Sequence, residues 1–323
     1  MPIISIAVLI IAGFVFSNCA GEEANEANEK FAFLPVLSSY HIFRGKPIDM
    51  VPEKGFHVYQ LATGLFTHYA HKQRLVWLTK GTKMIKAGAG LPEFPDSTML
   101  VKTFFYYNGE RDTSKGRRMI ETRLLIKSKG NWHMGTFVWN TAQTEATYQK
   151  RGSSTAIEWI NQAGEKKDIS YRVPSVGQCR TCYKSAGEIV PIGPKIRSMN
   201  FDVENNGKTT NQLTYFQSIG LLSSFDPHSV DSLPQAFSLR FTIAEQARAY
   251  MEMNCAHCHS PEGYCKGTGL YLQYSLPIEQ TNILRNRNRI VSKTESGRMP
   301  LLGKTIVHKE GVALVKAYVA SLK

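Results

Sequence analysis

Near its C-terminus the chain reads Cys255-Ala256-His257-Cys258-His259, and this C-x-x-C-H spacing constrains the fold more than any other feature. Thiols at this spacing add across the two vinyl groups of a haem to give thioethers. The adjacent His259 then lies under the iron and supplies a neutral imidazole as proximal ligand. A segment carrying this motif must close a small helical unit around a flat, apolar cofactor. Two readings compete. A redox dithiol belongs in a βαβ context, which the sequence lacks. Half of a zinc site needs two more ligands at matched spacing.

The flanking sequence fits the helical requirement. Thr242-Ile243-Ala244-Glu245 has capping-box spacing, and Ala244, Ala247, Met251 and Cys255 recur at helical intervals after it. Val312, Val315, Val319 and Leu322 form the stripe of a last helix. Residues 237–323 therefore read as a helical unit large enough to wrap one haem. A low-spin haem needs a second axial ligand. Met299, in the loop Gly297-Arg298-Met299-Pro300 before the last helix, is the best placed; a thioether ligand stabilises ferrous iron. The alternative for Met299 is a gap-filling core residue. Met251 and Met253 precede the motif on its own helix and cannot easily reach across a haem. His257 is expected to point away, as a surface histidine. Arg285, Arg287 and Arg289 either flank the haem edge or form a solvated face. Cys265 reads as a buried thiol, with a bridge to another cysteine open.

A second pair, Cys179-Arg180-Thr181-Cys182-Tyr183, has attachment spacing with Tyr183 where the histidine should stand. A phenol must lose a proton from a pKa near 10 to ligate iron. Three outcomes stay open: a disulfide, a haem with Tyr183 or Lys184 as an unusual ligand, or another metal. An ordinary second haem is disfavoured. His68 and His71 would share a helix face if that stretch is helical, although two surface histidines is the simpler reading.

Upstream the texture is β. Segments 56–61, 74–78, 99–107, 119–126, 134–139, 156–160 and 169–173 are rich in aromatic and β-branched residues, with turn signals at Asn108-Gly109, Lys129-Gly130 and Ala163-Gly164. Short strands at this spacing suggest an antiparallel sandwich or barrel. The fold class expected is α+β: a β-rich, sandwich-like domain over residues 31–175, an irregular segment with the altered C-x-x-C pair over 176–236, and a mainly helical cytochrome c-like domain over 237–323.

At the N-terminus, residues 3–16 form an apolar run too short to span a bilayer but suited to the core of a signal peptide. It leads into Phe16-Ser17-Asn18-Cys19, which reads as a lipoprotein signal (1–18) with Cys19 acylated; an ordinary signal peptide cut near Ala20 is the alternative. The acidic, small residues 19–30 read as a tether. This route places the protein in the cell envelope, lipid-anchored in the periplasm or on the outer membrane, and argues against nucleic acid as a partner. The net charge of +13 then speaks to acidic redox proteins or an anionic membrane surface. Six cysteines in 323 residues are too few for a disulfide scaffold.

Several stretches together carry a family resemblance: Val76-Trp77-Leu78, Val101-Lys102-Thr103-Phe104, Ile120-Glu121-Thr122-Arg123-Leu124-Leu125, Val138-Trp139-Asn140, Gln178-Cys179, Pro191-Ile192-Gly193-Pro194-Lys195 and Asn254-Cys255-Ala256-His257-Cys258-His259. The chain resembles a family of bacterial envelope proteins described as hypothetical di-haem c-type cytochromes. The resemblance implies a β-rich N-terminal domain followed by a region with two haem sites. Cys255, Cys258 and His259 match the second site in full. Cys179 and Cys182 match the first, from which Tyr183 departs. The leading expectation is an electron carrier with one haem c. The rivals are a haem enzyme, such as a peroxidase or the cytochrome subunit of a dehydrogenase, and a β-domain binding module with accessory haem. No catalytic triad, phosphate loop or paired-carboxylate signature strengthens either rival.

Overall fold

A computed structural model describes residues 31–205, 207–301 and 305–322. The apolar run, Cys19 and the acidic tether lie outside the described residues. Contacts divide the chain into Met1–Ala32 and Phe33–Lys323, and the described strands and helices all belong to the second unit. The class is α+β, with strands concentrated in the first half and longer helices in the second.

Among the described residues, six strands form one antiparallel meander in chain order: β1 (Phe56–Val58), β2 (His71–Trp77), β3 (Met99–Tyr107), β4 (Arg117–Ser128), β5 (Asn131–Trp139) and β6 (Ala146–Tyr148). Lys129 and Gly130 join β4 to β5 with φ of 50° and 77°. Positive φ at both central residues matches the right-handed twist of the flanking strands, which is why glycine stands there. The edge strands β1 and β6 have three residues each, short enough to offer little to foreign strands.

The middle strands carry near-continuous apolar runs because both faces of the sheet are covered. Leu75, Val101, Leu124 and Phe137 point to one face, where Leu37, Ile42 and Met50 of the preceding segment pack on them. On the other face, Val76, Leu100 and Leu125 meet residues from helices and loops further along the chain. At the far end of that face lies the hairpin of β7 (Ser153–Ile160) and β8 (Lys166–Val173), which sets Ile157, Trp159, Ile169 and Tyr171 against Phe104 and Tyr106. Both hairpin strands alternate buried and exposed residues, as a ribbon with one covered face should. The second layer over the large sheet is thus a hairpin and helices, not a second full sheet.

The next stretch is irregular with short elements: α1 (Val176–Tyr183), α2 (Ile196–Met199) and α3 (Gln212–Ser218), with small two-stranded hairpins between them. The last part holds α4 (Ile243–Asn254), α5 (Ile278–Thr281), α6 (Ile283–Glu295) and α7 (Lys309–Ser321). The Thr242 capping box forms as its spacing predicts, with the Thr242 side chain accepting from the Glu245 N–H. Ala247 and Met251 of α4, Ile290 of α6 and Val315, Tyr318 and Val319 of α7 make one apolar core.

Candidate functional site

The C-x-x-C-H segment is shaped by the end of α4. Cys255 leaves the helix into one further turn, in which the N–H groups of Cys258 and His259 both donate to the Cys255 carbonyl, at 3.0 and 2.9 Å. The segment is pinned by the buried Asn254. Its Nδ2 donates to the Tyr250 carbonyl at 3.0 Å, and its Oδ1 accepts from the Phe66 N–H at 2.7 Å. The chain then loops back, with Cys265 N–H donating to the Cys258 carbonyl and Leu272 N–H to the His259 carbonyl, both at 2.9 Å.

His259 is positioned by that loop. Its Nδ1 lies 3.5 Å from the Thr268 hydroxyl. Burial lowers its pKa, against a hydrogen bond to the backbone of Leu270 that raises it. A neutral imidazole with one nitrogen occupied on its own loop keeps the other for a metal. Burial pushes the Cys255 thiol up to about 12.

These side chains line one cavity of about 250 Å³. Cys255, Cys258 and His259 form part of its wall, and Leu270, Leu272, Ile290, Val312 and Val315 give it an apolar lining. Met299 also lines it, from the loop after α6, where its N–H donates to the Lys293 carbonyl at 3.0 Å. All three arginines of α6 are exposed; Arg289 contributes to the wall, and Arg285 and Arg287 do not. Arg287 lies two residues from each of the others and so faces another way, while Arg285 and Arg289 share a helix face one turn apart.

The second C-x-x-C pair faces the same cavity, which the sequence does not reveal. On α1, capped by Ser175 and Gln178, Cys179 is buried. Its thiol is pushed up first by burial, with the Arg123 guanidinium opposing. Cys182 reaches the thiol of Cys258, and the sulfurs of both and a ring nitrogen of His257 lie within 4.8 Å of one another. The two thiols are hydrogen-bonded to each other. The hydrogen bond from Cys258 holds Cys182 well below the usual thiol range, and the Cys258 thiol is held correspondingly high. The described cysteines are all free thiols. Cys265 lines the cavity beside them.

His257 therefore does not point away from the site. It lines the cavity with the rest of the motif, because the turn after α4 packs against α1 instead of facing solvent. Tyr183 is buried, and its hydroxyl accepts from Lys102 Nζ at 3.3 Å. Burial raises its pKa strongly, so it stands as a neutral phenol. Lys184 is exposed at the start of a short hairpin. His68 and His71 do not share a helix: His68 sits in a turn with φ 51° and accepts from the Thr305 N–H at 2.6 Å, while His71 begins β2 and bonds Glu110 at 2.8 Å.

Two contributors went unread in the sequence. Arg123 lines the cavity from β4, and His308 lines it from the start of α7. Arg123 had a signal: a charged residue inside an apolar strand, in register with other charges. No known family model matches the chain, and neither does any curated protein or solved structure.

Proposed function

We propose that the chain is a c-type cytochrome of the bacterial cell envelope, carrying single electrons on one haem c held by Cys255, Cys258 and His259. One observation carries this reading. Both thiols of the motif, the imidazole of His259 and the thioether of Met299 line a single apolar cavity. The donor set suits haem c: two thiols for the vinyl groups, a neutral imidazole and a thioether for the axial positions, and aliphatic walls. The bound haem would supply one-electron redox chemistry. The protein's part is to fix the His259 ring through Thr268 and Leu270, to present Met299 from the α6–α7 loop, and to exclude water with aliphatic walls from α6 and α7.

In this reading residues 237–323 form a cytochrome c-like domain, and the first motif is a descendant of a two-haem plan that has lost its proximal ligand. Cys179 and Cys182 are left to other uses. Cys19 carries a lipid anchor, and the net charge of +13 suits an acidic redox partner.

Expression in a host that matures c-type cytochromes, with mass spectrometry of the intact chain, tests the proposal. One covalent haem on wild type and none on Cys255→Ala/Cys258→Ala is expected, with a low-spin spectrum and a positive reduction potential. A wild-type chain matured in such a host without covalent haem would overturn it.

A further inference from the structure

The face of the large sheet turned toward α1 carries a row of cations. Pairing places Arg74 of β2 directly opposite Lys102 of β3, and Lys102 directly opposite Arg123 of β4. Lys72 lies two residues from Arg74 on the same face. Directly opposed side chains of one face sit within contact range, and like charges there repel. Lys102 and Arg123 are each 7% exposed, so water does little to screen them.

The carboxylate facing them, Glu121, is already committed. It takes two hydrogen bonds from Arg123, at 2.6 and 2.9 Å, and a third from the Tyr171 hydroxyl at 2.7 Å. Lys72 donates to the Ala70 carbonyl and lies over the Phe104 ring. Lys102 has the neutral Tyr183 hydroxyl. Arg74 Nε is buried with no hydrogen-bond partner among the described residues. Burial, then the charges of Arg74 and Arg123, push Lys102 down to about 7. Such an arrangement is costly unless a further anion completes it.

A route exists. Of the row, Arg123 stands on the wall of the cavity that holds the cysteines, as does Tyr183, whose hydroxyl accepts from Lys102; Lys72, Arg74 and Lys102 themselves are not on that wall. We infer that the cation row reached from the cavity through Arg123 and Tyr183 is an oxyanion-binding site, in which Arg74, Lys102 and Arg123, with Lys72 beside them, hold a small sulfate-like or carboxylate group. Guanidinium forks match the paired oxygens of such groups. The oxyanion has two sources, a free inorganic ion or the carboxylates of a tetrapyrrole in the same cavity. The inference does not depend on haem being present.

Isothermal titration with sodium sulfate against sodium chloride, at matched ionic strength, tests it on the full chain as purified and on Cys255→Ala/Cys258→Ala. Saturable one-site sulfate binding is expected, weakened at least tenfold by Lys102→Met and by Arg74→Met. Binding to both chains assigns the site to a free oxyanion. Binding to the cysteine variant alone assigns it to tetrapyrrole carboxylates. Absence of saturable binding in both chains overturns the inference, as does unchanged affinity in Lys102→Met. Thermal melting separates a structural role. Loss of a repelled cation should leave the Lys102→Met midpoint in chloride level or raised, and should shrink the additional rise in sulfate. A variant equally destabilised in both salts, with the sulfate rise intact, would also overturn it.

Discussion

The imidazole of His308 lies flat on the ring of Phe66, with 4.0 Å between centroids and 7° between planes. The contact ties the start of α7 to the loop before β2. Tyr250 adds a hydrogen bond to His308 Nδ1 at 3.0 Å. Burial pushes His308 down to about 4 from an ordinary 6.5, with Glu310 pulling the other way and the Lys72 charge adding to the fall. The unfolded chain therefore takes up a proton that the folded chain refuses. This contribution is fully present above pH 6.5 and is lost as pH falls toward 4. Discounted for solvent screening, it is on the order of 1–2 kcal/mol. Urea denaturation between pH 7 and 4 should show that loss, and His308→Gln should flatten it.

Gly311 stands inside α7, where alanine would ordinarily be favoured by about 1 kcal/mol. Here an added Cβ would overlap the Tyr250 hydroxyl and come within 2.7 Å of His308 Nδ1. Packing should outweigh propensity, and Gly311→Ala should destabilise by about 1–3 kcal/mol, as overpacked sites do. The Tyr250 ring carbon Cζ stands in the way as well as the hydroxyl, so the penalty should persist in a Tyr250→Phe background and shrink in Tyr250→Ala, which a double-mutant cycle of melting temperatures measures.

Glu252 of α4 is 3% exposed at its side chain and pairs with Lys195. Its other oxygen accepts the Tyr274 N–H at 2.8 Å. Removing it leaves an uncompensated cation and an unsatisfied amide. Glu252→Ala should cost about 3 kcal/mol or more, read as a lower urea midpoint. Lys195→Met should cost a comparable amount, because it leaves the 3% exposed Glu252 carboxylate without its ion-pair partner, held by the Tyr274 N–H and the charge of Arg197.

Met299→Leu keeps volume and apolarity in the cavity wall, so stability should change by less than about 1.5 kcal/mol. Under the proposed function, covalent haem should be retained, since the thioethers belong to Cys255 and Cys258. The low-spin signature of thioether ligation should disappear and the reduction potential should fall. Visible spectroscopy and redox titration of the same sample check both.

Where patterns are local, the sequence is a good guide. The run from Met99 to Tyr107 coincides with β3, the Lys129-Gly130 turn forms as its residues demand, and the Thr242 cap starts α4. The strand expected over 56–61 stops at Val58. Edge strand β6 is too short to show a period. The site is less legible, because its assembly is a tertiary event. Cys182 meets Cys258 only because α1 and the turn after α4 share one cavity, and no local spacing encodes that. His257 escapes notice for the same reason. The charges at Lys72, Arg74, Lys102, Glu121 and Arg123 do announce themselves, at alternate positions in strands otherwise apolar, once both faces are known to be covered.

The strict chain-order pairing of the large sheet bears on the sequence of events during folding. Each pairing closes a modest loop to the preceding strand, so the meander assembles from local hairpins at low entropic expense. The cavity has no such advantage: its walls come from Phe66, Cys182, Cys258, Met299 and Val315, scattered over most of the chain. The scaffold should thus be in place while the thiols of Cys255 and Cys258 are still open to solvent. Enclosure should come last, leaving an interval in which those thiols can be modified on an otherwise ordered protein.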